Sequence, residues 1–81
     1  AVRWIGNFTF AGGRYRFTTV TDDGVRIYLD DVLILDSWRP MRGTRSAVKT
    51  IAEGEHTVRV EYFEAMEAAK AQVYWTWLGS R

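Results

Sequence analysis

Alternation of apolar and polar residues runs through most of this chain and limits its fold more than any other feature. In His56-Thr57-Val58-Arg59-Val60-Glu61-Tyr62, the residues His56, Val58, Val60 and Tyr62 share one face, and Thr57, Arg59 and Glu61 share the other. Successive side chains of extended backbone point to opposite sides, so a period of two marks a strand with one face buried and one in water. Val25, Ile27 and Leu29 alternate in the same way against Arg26 and Tyr28. Tyr15 and Phe17 alternate against Arg14 and Arg16, and Val73, Trp75 and Trp77 against Gln72, Tyr74 and Thr76. The segment Val32-Leu33-Ile34-Leu35 is apolar on both faces and is expected at the centre of a sheet, covered on two sides.

Turn residues separate these runs. Gly12-Gly13 closes a first strand from about Val2 to Phe10, Asp30-Asp31 makes a tight turn before Val32, and Glu53-Gly54 precedes the His56 strand. Thr21-Asp22-Asp23-Gly24 joins two alternating runs and reads as a hairpin, because Gly accepts the positive φ of a tight turn. A long irregular loop is expected from Ser37 to Arg45, with Trp38, Pro40 and Gly43 inside it. Seven short strands with frequent turns predict an all-β fold, a small antiparallel β-sandwich of jelly-roll type. The segment Glu64 to Ala71 breaks the pattern. It holds strong helix formers and no β-branched residue, Gly or Pro, so a short helical turn is expected over 64–71.

With 81 residues the chain reads as one domain, 1–81. A domain of that size buries only about 60% of the surface its unfolded chain exposes. No cysteine is present to add a disulfide, so four Trp, four Tyr and four Phe must supply the core. Trp4, Trp75 and Trp77 alternate within strands and are expected in it. A net charge of +1 argues against nucleic acid as a partner, and no apolar run approaches the ~20 residues needed for membrane insertion as a helix. No secretory signal is visible, and the chain opens directly into strand-like sequence, as a cut domain does.

Catalysis finds little support in the residue pattern: no serine–histidine–carboxylate set stands out, a glycosidase pair of Asp22 with Asp36 or Glu61 needs a fixed separation that sequence does not show, and the lone His56 without cysteine makes no usual zinc site. His56 falls on the apolar face of its strand and is expected to be a core histidine with one hydrogen bond. The adjacent carboxylates Asp22 and Asp23 repel each other. Either they are solvated turn residues that accept backbone N–H groups, or a positive group sits between them. Trp38, beside Arg39, is either a stacking platform for a sugar ring or the anchor that holds its loop. Arg39, Arg42 and Arg45 are either solvated loop charges or a patch for anionic groups.

Five motifs occur in order. They are Val2-Arg3-Trp4-Ile5-Gly6, Gly13-Arg14-Tyr15-Arg16-Phe17, Asp22-Asp23-Gly24-Val25-Arg26-Ile27-Tyr28, Leu35-Asp36-Ser37-Trp38 and Gly54 through Phe63. In this order the chain resembles the protective-antigen fourteen-kilodalton module, a β-sandwich of bacterial toxins, glycosidases and surface adhesins, and is similar to the sugar-binding domains of yeast flocculins. The resemblance covers the later part of a full module and implies truncation on the N-terminal side.

It implies a non-catalytic carbohydrate-binding or accessory module, extracellular or at the cell surface, with a glycan or polysaccharide as partner. In the lectin branch the aspartates matching Asp22 and Asp23 bind calcium, whose natural ligands are 6–8 oxygens. The implied ligand-binding residues are Asp22, Asp23, Trp38 and Arg39. The family's second ligand loop is here the alanine-rich stretch, where Glu64 and Glu67 offer the carboxylates. The alternative is a structural, self-assembling sandwich with no ligand. The absent strands would leave edges that pair with a second copy, as a homodimer, or with a complementary chain.

Overall fold

A computed structural model describes residues 2–21, 24–37, 43–63 and 72–80, the side chains of Val2, Thr21 and Phe63 excepted. The alternating segments all form strands. They are β1 (Val2–Phe10), β2 (Gly13–Thr21), β3 (Gly24–Leu29), β4 (Val32–Ser37), β5 (Gly43–Ile51), β6 (Gly54–Phe63) and β7 (Gln72–Gly79). They build two antiparallel sheets, a four-stranded one in the order β1-β6-β3-β4 and a three-stranded one in the order β5-β2-β7. The expected all-β sandwich is therefore present. The segment 64–71, where a helical turn is expected, lies outside the described residues.

Much of the core lies on the faces that the alternation marks. Phe10, Tyr15, Phe17, Val25, Ile27, Leu35, Ile51, Val58 and Val60 are buried between the sheets. Phe10 and Phe17 are 1% and 0% exposed, and aromatic rings bridge the layers: Trp75 of β7 packs its ring centroid 4.9 Å from Phe8 and 5.7 Å from Phe10, both of β1. Residues on the outer face of the four-stranded sheet pair by charge. Register places Arg3, Glu61, Arg26 and Asp36 in one row across β1, β6, β3 and β4, with Arg26 Nε 3.2 Å from Asp36 Oδ1.

Three expectations are corrected. Residues 21–24 do not close a hairpin: β2 and β3 belong to different sheets, so Thr21 pairs with Gly43 while Gly24 pairs with Phe63. A short connection between alternating runs looks the same in sequence whether it turns within a sheet or crosses between two. Val32–Leu35 is not central, because β4 is an edge strand, with Val32 61% and Leu33 41% exposed. A register shift between Ile27 and Tyr28 interrupts its pairing, so an apolar run on both faces here marks a bulged edge rather than double cover. The irregular loop expected from Ser37 to Arg45 overlaps two strands, since Ser37 ends β4 and Gly43, Thr44 and Arg45 belong to β5, while 38–42 lies outside the described residues.

The turn Asp30-Asp31 does form. Both residues have positive φ, 49° and 66°, as a two-residue turn of a right-twisted hairpin requires. Aspartate reaches this conformation at more cost than glycine, and side-chain hydrogen bonds offset that cost here.

Candidate functional site: the loop end of the sandwich

Strand register brings three connections to one end of the molecule. Gly24 faces Phe63, and Val25 faces Ser37 on one side and Tyr62 on the other. In the second sheet Thr21 faces Gly43, and Val20 faces Gln72. The segments 22–23, 38–42 and 64–71 therefore all depart from the same end, and each crosses from one sheet to the other. The candidate ligand residues Asp22, Asp23, Trp38, Arg39, Glu64 and Glu67 belong to these segments and lie outside the described residues, as does Arg42, whereas Arg45 stands on β5.

The described residues beneath this end limit what could hold a metal. Asp36 is engaged by Arg26, and Glu61 Oε2 lies 3.3 Å from Arg59 Nε. Among the described residues no group of three or more His, Cys, Asp or Glu could hold a metal ion.

A feature that the sequence did not mark adjoins this end. Among the described residues the four-stranded sheet extends one strand beyond its partner, and an open groove of about 500 Å³ runs along that flank. Trp4, Phe8, Val60, Tyr62, Val73 and Trp75 line it. Trp4 is 46% exposed, and its ring leans toward Phe8, centroids 5.7 Å apart, across Gly6. A Cβ at Gly6 would come 2.9 Å from the Phe8 ring, so the missing side chain lets the two rings meet. Burial pushes the Tyr62 phenol above its ordinary pKa. Trp4 is thus a wall of an open groove, not the core residue expected, and Trp77 is 54% exposed with its Nε1–H donating to the Gly12 carbonyl at 3.0 Å. Trp75 alone of the three packs against the core as expected. Alternation gives the face on which a ring lies, but cover depends on the width of the opposing sheet.

His56 lies at the other end. It is partly buried, and both ring nitrogens have acceptors: Nδ1 is 2.5 Å from Asp30 Oδ2, and Nε2 is 2.8 Å from the Ala52 carbonyl. The expected core histidine with one hydrogen bond is therefore a partly exposed one with two. The contact with the Asp30 carboxylate and that with the carbonyl both hold its pKa above the usual value, and the same histidine holds Asp30 below its own.

The sequence pattern of the PA14 domain matches residues 1–80. The chain is 34% identical over 79 residues to an anti-sigma-I factor, RsgI3, of Acetivibrio thermocellus. That match covers 94% of this chain and 12% of the relative, so the chain corresponds to a small part of a longer protein there. No solved structure gives a significant match. The seven strands, their arrangement in two sheets and the match over nearly every residue agree: the chain belongs to the PA14 domain family.

Proposed function

We propose that this domain is a non-catalytic carbohydrate-binding module at the outside of a cell, serving as the recognition part of a longer protein. The observation that supports it is the convergence of the segments 22–23, 38–42 and 64–71 on one end of the sandwich. They carry the paired carboxylates, an indole and a guanidinium, the groups that bind calcium and sugar rings. Asp22 and Asp23 are the proposed calcium ligands, with Glu64 or Glu67 completing the shell, and Trp38 and Arg39 the sugar contacts. Titration calorimetry with calcium, followed by a glycan array with and without chelator, tests this. Calcium heat that disappears in the Asp22→Asn, Asp23→Asn double variant, together with chelator-sensitive glycan binding, is expected. Glycan binding that ignores both chelator and the double variant would remove calcium from the reading, and no glycan binding at all would overturn it.

The open flank favours a second reading, a sandwich that self-assembles. Among the described residues β7 pairs only with β2, and the aromatic groove lies beside its free edge. An unpaired edge beside an apolar groove is a template for a further strand, and a second copy can supply one. Light scattering across a concentration series decides it: a concentration-dependent dimer that Trp4→Ser dissociates supports this reading, and a monomer at high concentration rejects it.

A further inference from the structure

We propose that His56, Asp30 and the Ala52 carbonyl form a proton-gated clamp that closes the end of the sandwich opposite the three converging segments. The clamp gathers two turns onto one strand. Asp30 belongs to the β3–β4 turn, Ala52 to the β5–β6 connection, and His56 to β6. The Asp30 carboxylate also accepts the Thr57 N–H at 2.9 Å through Oδ1, and the Asp30 N–H donates to the Thr57 carbonyl at 2.9 Å. Phe10 of β1 meets the imidazole edge-on, centroids 5.6 Å apart, and fixes the plane of the ring.

The chemistry of the two ring contacts decides the protonation state. Neutral imidazole carries one N–H and one lone pair, whereas imidazolium carries two N–H groups. Here one nitrogen faces a carboxylate oxygen and the other a carbonyl oxygen, and both of these accept. Only imidazolium satisfies both contacts. Loss of the proton sets a lone pair against one of the two oxygens, so one turn must give. Asp30 faces the ring from the β3–β4 turn, and Phe10 from β1 carries no charge. Exposed Glu53 follows Ala52 in the β5–β6 connection, and Glu55 lies on β6 one residue away, on the opposite face. The Asp30 carboxylate in contact with the ring favours its protonated form, while Asp31 of the same turn is paired with Arg59. The domain is therefore expected to tighten at this end in mildly acidic surroundings and to loosen in alkaline ones, independently of any ligand at the opposite end.

Two-dimensional NMR of the 81-residue chain tests the clamp. Titration of the His56 ring is expected to give a pKa above 6.5, and both N–H protons should be visible below it. Protection of the Thr57 and Asp30 amides against exchange, corrected for the intrinsic effect of pH, should fall by about ten-fold or more as the ring deprotonates. The Asp30→Asn variant, which keeps the side chain's shape, should return the His56 pKa to about 6.5 or lower. His56→Gln should give protection that no longer changes with pH. A His56 pKa at or below 6.5 in the unaltered chain, or Thr57 protection that stays constant through the titration, overturns the proposal.

Discussion

The guanidinium carbon of Arg59 lies 4.1 Å from the centroid of the Tyr28 ring, over its face. Tyr28 and Arg59 are cross-strand neighbours on β3 and β6, on the outer face of the four-stranded sheet. From this position Arg59 Nη1 donates to Asp31 Oδ1 at 2.9 Å, tying the β3–β4 turn to the middle of the sheet. Its buried Nε lies 3.3 Å from Glu61 Oε2, out of line for a hydrogen bond, so that contact is a coulombic one. Arg59→Ala removes the cation–π contact and the tie to Asp31 together and is expected to cost about 1–2 kcal/mol. Arg59→Lys keeps the charge but loses the flat stacked group and should fall between the two. Urea midpoints at constant m-value check the order.

The two tryptophans of β7 should differ sharply. Trp75 touches Phe8, Phe10 and Phe17 across the layers, whereas Trp77 stands 54% exposed at the end of the strand. Trp75→Ala opens a cavity between the sheets and is expected to cost about 3 kcal/mol or more. Trp77→Ala loses one hydrogen bond to Gly12 and only the partial burial of its ring, so a smaller cost of about 1–2 kcal/mol is expected. Thermal unfolding of both variants beside the parent makes the comparison.

Adjacent aspartates of one turn should also separate. Asp31 has φ 66° and an 85% exposed side chain whose recorded partner is Arg59. Asp31→Gly relieves the left-handed backbone and gives up an exposed ion pair, so its stability should stay within about 0.5 kcal/mol of the parent. Asp30→Gly gives the same backbone relief but loses the acceptor for Thr57 N–H and His56, and should be clearly destabilised. Equilibrium denaturation of both variants at pH 6 reads the difference.

Stability should depend on pH in a defined window. His56 titrates above 6.5 in the folded chain, so its contribution is complete below 6.5 and disappears as pH rises through the folded value. Asp30 titrates below 3.8, so its contribution is complete above 3.8 and disappears as pH falls through the folded value. The clamp therefore contributes fully between about pH 4 and 6.5. Melting temperatures across pH 3–9 should show this plateau in the parent, and His56→Gln should abolish its alkaline limb.

Substitution of Gly13 should be among the most damaging single changes. Its φ is 118°, and a Cβ there would lie 2.3 Å from the Gly79 carbonyl oxygen. Neither backbone can move without breaking the pairing of β2 with β7, where the register already shifts between Arg14 and Tyr15. Gly13→Ala is expected to cost several kcal/mol, combining a left-handed backbone with a main-chain clash. Failure of soluble expression, or a melting temperature far below that of the parent, is the expected readout.

What the sequence determined by itself was local. Period-two runs in residues 14–20, 25–29, 56–62 and 72–77 marked strands and their buried faces, because backbone extension alone sends alternate side chains to opposite sides. Val58, Val60, Ile27 and Phe17 were legible as core for that reason. Which strands are neighbours is a matter of contacts far apart in the chain, and there the tertiary structure decided. It made 21–24 a crossing between sheets and turned Val32–Leu35 into an edge. It also left Trp4 on an open groove, since the sheet opposite is one strand narrower. The candidate ligand residues stand out in the sequence by type alone, and nothing local says that 22–23, 38–42 and 64–71 leave from one end; only the pairing of Gly24 with Phe63 and of Thr21 with Gly43 does. The partners of His56 were hidden for the same reason: Asp30 is 26 residues away in sequence, and the antiparallel return of the chain brings the two together.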